Sequence, residues 1–143
     1  MTLEAHALHF LKWDKACVVA MFQRGPRRVW GSVPDVIGVT KARYIVEVEI
    51  KRTVADFKAD ADKPHILHRE LHLKRWPKQF YYMLPMNLAA RIEVPDWAGL
   101  VGVDLWRRNI IKVAPMNLAS QKLSIKDCIK LFRLLGNQFT LPR

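Results

Sequence analysis

Two short runs rich in β-branched residues, Asp35-Val-Ile-Gly-Val-Thr40 and Tyr44-Ile-Val-Glu-Val-Glu-Ile50, are separated only by Lys41-Ala42-Arg43. Such runs favour extended backbone, and a three-residue break is short enough to close a hairpin, so the pattern predicts two antiparallel strands. Side chains alternate along a strand. Ile45, Glu47, Glu49 and Lys51 are therefore expected on one face, with Tyr44, Val46, Val48 and Ile50 on the other. With the turn centred on Ala42, Asp35 falls opposite Glu49, at a Cβ separation of roughly 4.5 to 5.5 Å. One residue more or fewer in the turn would change that register.

The remaining pattern supplies the elements around this hairpin. Thr2 can cap a helix beginning at Leu3, with Leu3, Ala7, Phe10 and Leu11 as its apolar stripe. That helix either stops near Trp13-Asp14, leaving a strand over 16–22, or runs on to Phe22 before the break at Gly25-Pro26. Residues 29–33 fit a short strand. Residues 54 to about 72 read as helical, with Val54, Phe57 and Ala61 on one face and Pro64 interrupting. A strand is expected over 79–84, a short helix over 86–91, and a hairpin from 100–104 and 109–114 around Arg107-Arg108. Ser124 opens a final helix in which Ile125, Ile129, Phe132 and Leu135 form the expected buried stripe, with Gly136 as its stop. This order implies an α/β fold over residues 1–143 as one domain: a mixed sheet with the Asp35–Ile50 hairpin at its centre and helices on both faces.

The unusual feature is chemical. Like charges opposed across a sheet destabilise it, so Asp35 and Glu49 gathered with Glu47 make a poor arrangement for stability alone. A divalent cation would remove the conflict, and two carboxylates with water and phosphate oxygens suit Mg²⁺. Lys51, about 6.6 Å along the strand from Glu49, would then orient or activate the attacking water and neutralise charge in a phosphoryl transition state. The plainer reading is a half-solvated strand in which Lys51 merely pairs with Glu49. Both remain open on the pattern of residues.

Pro34-Asp35 followed by Glu49-Ile50-Lys51 resembles the two-part motif of the PD-(D/E)xK nuclease superfamily. The flanks Glu47-Val-Glu-Ile-Lys51, Val54-Ala-Asp-Phe-Lys58, Asp60 and Lys63 resemble its MmcB-like and phage-encoded members, as do Phe80-Tyr-Tyr-Met-Leu-Pro85 and Ala98-Gly-Leu-Val-Gly-Val-Asp104. The resemblance spans roughly Glu4 to Pro115. It implies a restriction-endonuclease-like mixed β-sheet flanked by helices, and a Mg²⁺- or Mn²⁺-dependent deoxyribonuclease acting in DNA repair, recombination or phage DNA processing. Asp35 and Glu49 would ligate the metal with the Ile50 backbone carbonyl, and Lys51 would be the catalytic lysine. Glu47 would assist, and Glu4 on the first helix is similar to a glutamate that some members add to the site. The resemblance also makes Lys63 the better substrate contact of the pair Lys58 and Lys63.

Charge strengthens the polyanion reading. The chain carries 24 Lys and Arg against 13 Asp and Glu, a net charge of +11, with a pI near 10.1. Such a balance favours a nucleic-acid partner through counterion release, and Arg24, Arg27, Arg28, Lys58 and Lys63 are the candidate phosphate contacts. The aromatic residues Trp76, Trp97, Trp106, Tyr81 and Tyr82 could stack on bases, although packing is the commoner fate of such side chains. His65, His68 and His72 have the spacing of one helical face, but no HExxH pattern or cysteine ligand accompanies them, and Arg69 and Lys74 disfavour a bound cation; a polar face near a DNA backbone is the more economical reading. The two cysteines, Cys17 and Cys128, fit a pair of buried thiols in a reducing compartment, so the cytoplasm is expected. No apolar run approaches the roughly 18 residues of a membrane span, and Glu4, His6 and His9 stand where a signal peptide would be apolar. DNA is the expected partner, with a homodimer as a further expectation and no membrane. Two alternatives stand beside the nuclease: a non-catalytic nucleic-acid-binding accessory protein on the same fold, and a protein-interaction module whose basic surface meets an acidic partner.

Overall fold

The computed structural model describes residues 1–22, 35–61 and 77–138, without the side chains of 61 and 134–138. Six strands form one open sheet: β1 (Val19–Phe22), β2 (Val36–Val39), β3 (Ile45–Ile50), β4 (Gln79–Pro85), β5 (Gly99–Val103) and β6 (Arg108–Lys112). They lie side by side in chain order, with β3, β4 and β5 parallel and the other neighbours antiparallel. The described helices are α1 (Leu3–His9), α2 (Val54–Ala61), α3 (Met86–Ala89) and α4 (Ile125–Gln138). The α/β architecture, a mixed sheet flanked by helices, is the one the sequence implied.

The hairpin turn fixes the register. Thr40 N–H donates to the Tyr44 carbonyl at 2.9 Å and Arg43 N–H to the Thr40 carbonyl at 2.8 Å, with Arg43 in the left-handed region at φ 69°. A type I turn followed by a left-handed residue is a common three-residue hairpin connection. Pairing is therefore centred on Ala42, with Ile37 opposite Glu47 and Val36 opposite Val48. Asp35 lies one residue before Val36, just outside the paired segment, and the same register continued by one step would set it level with Glu49.

Alternation then sorts the core. On one face Ala7, Phe10 and Leu11 pack over Val46, Val48, Tyr81, Met83 and Val101. On the other, Phe57 and Ala89 join Phe80, Tyr82, Leu84 and Leu100, while Leu131 joins Ile37, Val39 and Ile45. β3 is thus covered on both sides, and Glu47 is 1 % exposed. The strand is not half-solvated, because neighbouring elements cover the face that bears the acids, but the Lys51–Glu49 pairing of that plainer reading is present at 3.3 Å.

At the N-terminus Thr2 accepts a hydrogen bond from Ala5 N–H at 3.1 Å, as its capping role requires. α1 runs into a single wider turn over Phe10–Asp14, closed by Lys15 N–H on the Phe10 carbonyl, and the chain then enters β1. The earlier stop is the one adopted. At Gly38 a Cβ would come within 2.6 Å of Cys17 Sγ, so glycine lets this segment sit directly on β2. Burial pushes the Cys17 thiol up to about 11, while Cys128 is only half-buried, which corrects the expectation of two buried thiols.

The final helix departs from the expected stripe. Ser124 caps it through Asp127 N–H, but Ile125, Ile129 and Phe132 are exposed, and the helix continues through Gly136 to Gln138. The buried contact is made by Leu131, 2 % exposed, with Cys128 beside it. Two apolar stripes coexist on this helix, and the docking of Leu131 on Ile37, Val39 and Ile45 selects the narrower one. Leu131→Ala is accordingly expected to cost about 3 kcal/mol and Phe132→Ala under about 1 kcal/mol, read from urea unfolding midpoints at constant m. Equal losses would contradict this docking.

The strand over 29–33, the arginines 24, 27 and 28, Lys63, Trp76 and the histidines 65, 68 and 72 lie outside the described residues. No described helix is long and apolar enough to cross a membrane.

Candidate active site

Parallel pairing brings the C-terminal ends of β3, β4 and β5 to the same edge of the sheet, where antiparallel β2 begins. Asp35, Glu49 and Lys51 collect there. Asp35 is exposed and its Oδ2 accepts a hydrogen bond from Ile50 N–H at 2.8 Å, which ties the start of β2 to the end of β3. Glu49 stands on the face of β3 that meets α2, level with Tyr82 on β4, and its side chain is 16 % exposed.

Lys51 follows on the same face and is 6 % exposed. Its Nζ lies 3.3 Å from Glu49 Oε1 and 3.0 Å from Asp60 Oδ1. Asp60, on α2, is 1 % exposed, and its Oδ2 accepts the Tyr82 hydroxyl at 3.0 Å. Asp60 is therefore a buried anchor that receives Lys51 on one oxygen and Tyr82 on the other. A signal for it exists in the sequence: Asp60 is three residues beyond Phe57, so it stands on the apolar stripe of α2, where a carboxylate needs a partner.

The electrostatics follow from this packing. Burial raises the Glu49 carboxyl to about 8, the negative charge of Asp35 adds to the effect, and Lys51 only partly offsets it. Burial alone would lower the Lys51 ammonium, but the hydrogen bond to Asp60 and the charges of Glu49 and Asp60 outweigh it and raise it overall. Lys51 is thus a permanent cation near neutral pH. A protonated Lys51 can orient a water and offset negative charge. The Tyr82 hydroxyl is also raised, first by burial and then by Asp60, and stays a donor.

The negative charge of Asp35 reaches Glu49, and two carboxylates so placed are the kind of oxygen donor a divalent cation such as Mg²⁺ takes. Among the described residues no group of three or more His, Cys, Asp or Glu is placed to hold a metal; the residues that would hold one are Asp35 and Glu49 with the Ile50 backbone, the remaining positions falling to solvent and substrate oxygens. That division suits Mg²⁺, which keeps several waters.

The other candidates fall at different distances from this centre. Glu47 lies one strand repeat deeper on the same face, opposite Ile37 and level with Phe80. Glu4 on α1 forms an ion pair with Arg52, and both line an open cleft of about 620 Å³ with Thr2, Asp35 and Ile50. Glu4 therefore reaches the Asp35 side of the site but is committed to an arginine. Lys58 is exposed on α2, the helix that carries Asp60. Tyr81 and Tyr82 are buried and Trp97 packs edge-on against Phe80 at 5.3 Å, so these aromatics belong to the core.

No family model and no curated protein matches the chain. It is similar to a solved structure from Silicibacter pomeroyi, a protein of unknown function, at 24 % identity and a TM-score of 0.59, over 92 % of this chain and 80 % of that one. At that identity the likeness concerns the fold: an open mixed sheet with helices packed on it.

Proposed function

We propose that the chain is a Mg²⁺-dependent DNA nuclease that hydrolyses phosphodiester bonds, as a PD-(D/E)xK-type enzyme. What supports this reading is the hydrogen bond that ties Asp35 to Ile50 N–H, next to Glu49, with the Lys51 ammonium 3.3 Å from Glu49. When bound, Mg²⁺ would supply Lewis-acid activation of water and of the scissile phosphate. Asp35 and Glu49 would hold it, aided by the Ile50 backbone. Lys51 orients the attacking water and offsets the charge that grows on the phosphoryl oxygens. Asp60 and Tyr82 hold Lys51 in place, and Glu47 supports the acidic face from below. Net charge of +11 draws the DNA backbone toward a site that is itself locally acidic.

Cleavage of supercoiled, linear, branched and single-stranded DNA with Mg²⁺ or Mn²⁺, compared with the same reactions in EDTA, tests this directly. Metal-dependent loss of at least one substrate is the expected result. DNA retention that falls steeply with salt, with all four substrates intact, would instead favour the non-catalytic accessory protein. Cytoplasmic residence and a homodimer belong to the same reading.

A further inference from the structure

The β5–β6 connection carries the most exposed aromatic of the described residues. Leu105 and Trp106 are 74 % and 76 % exposed, and Arg107 beside them is exposed as well. Large apolar side chains at a loop tip would ordinarily turn inward. Here the loop is braced outward: Asp104 Oδ1 accepts from Trp106 N–H at 3.4 Å and Arg107 N–H at 3.0 Å, and Asp104 N–H donates to the Arg107 carbonyl at 3.0 Å.

A second brace comes from α1. Buried His6 has Nε2 3.4 Å from the Leu105 carbonyl and Nδ1 3.3 Å from Arg108 Nη1, while Arg108 Nε lies 3.3 Å from Asp14 Oδ2. Neutral His6 with its proton on Nε2 satisfies both contacts, donating to the carbonyl and accepting from the guanidinium. The backbone of the tip is thus held by contacts from both Asp104 and His6.

Its position gives it a partner. β5 ends at the same sheet edge as β3, with Val103 level with Pro85 and Ile50 level with Met83. Glu49 is level with Tyr82 and Leu100, so the tip is two strands from Glu49, about 10 Å sideways, and the loop begins at Val103 about 10 Å further out. Leu105 and Trp106 by themselves offer roughly 250 Å² of contact, below the about 800 Å² per partner of a stable protein interface and enough for one unstacked base, with Ile110, Ile111 and Val113 exposed further along the adjoining strand. Arg107 provides the charge that a phosphate next to that base needs.

Building on the nuclease reading, we propose that Trp106 stacks on an unpaired base while Arg107 contacts the adjoining phosphate, so that the site receives single-stranded or locally unpaired DNA. Base stacking on an aromatic tolerates any sequence, and a duplex with its bases already stacked gains little from it.

Anisotropy of a labelled oligothymidylate and of a duplex of equal length, titrated with the full chain in EDTA, tests this apart from cleavage. Trp106→Ala is expected to weaken oligothymidylate binding about tenfold and duplex binding less than twofold, and Trp106→Phe to restore most of the loss. Arg107→Ala should weaken both probes and flatten their salt dependence. Oligothymidylate binding within twofold of wild type in Trp106→Ala overturns the proposal, as does an equal loss on both probes. So does a self-association that Trp106→Ala abolishes while oligothymidylate binding persists. Trp106-dependent binding without any cleavage would remove the nuclease reading and leave this one standing; cleavage of DNA indifferent to Trp106 would do the reverse.

Discussion

Lys51→Met is expected to reduce metal-dependent DNA cleavage by about 10² to 10³-fold, the cost of losing one preorganised charge aimed at a phosphoryl transition state. It is also expected to lower stability by about 3 kcal/mol, because Asp60 and Glu49 would lose the cation between them inside the fold. A urea titration separates the two effects: at temperatures where the variant remains folded, cleavage should still be lost. Asp60→Asn provides the milder companion. It keeps a polar group near Tyr82 but removes the charge that raises Lys51, so the alkaline limb of the cleavage profile should move to lower pH than in wild type. Unchanged cleavage in Lys51→Met would remove this residue from the mechanism, and an unmoved alkaline limb in Asp60→Asn would reduce Asp60 to a structural contact.

The second large effect is on stability against pH in metal-free buffer. The Glu49 carboxyl lies at about 8 in the fold against an ordinary 4.5, so between these values the folded protein holds a proton that the unfolded chain has released. The stability this confers is fully present below about pH 4.5 and is lost as pH rises through about 8. Glu49→Gln cannot ionise and should escape that loss. Its melting temperature should match wild type near pH 5 and exceed it by about 5 °C at pH 8.5, corresponding to about 2 kcal/mol for a chain of 143 residues. A difference that does not grow with pH would mean that Glu49 ionises freely.

Much of this site was legible because strand geometry leaves few options. A three-residue connection and alternation were sufficient to set the register that puts Ile37 opposite Glu47 and Val36 opposite Val48, and to separate Ile45 and Glu47 from Val46 and Val48. What covers the acidic face was not legible, since it depends on where α2 returns over the sheet. Asp60 stood in the sequence as part of a familiar flank, and only its burial against Lys51 and Tyr82 gives it a role. The final helix shows the same limit from the other side. Its stronger apolar stripe, Ile125, Ile129 and Phe132, points outward, because the sheet surface offered by Ile37, Val39 and Ile45 accommodates Leu131. Periodicity finds an amphipathic helix, and the partner surface decides which stripe is buried. Trp106 was placed in a hairpin connection by the sequence pattern, but the contact of His6 with its loop is a tertiary arrangement.

The most direct measurement is a calorimetric titration of Mn²⁺ into wild type and into Asp35→Ala at a pH above 8, where Glu49 is ionised. If the carboxylates of Asp35 and Glu49 share one cation, wild type should give a saturable one-site isotherm and Asp35→Ala should give only dilution heat. Superimposable isotherms, or no binding by wild type, would contradict a shared cation at this sheet edge.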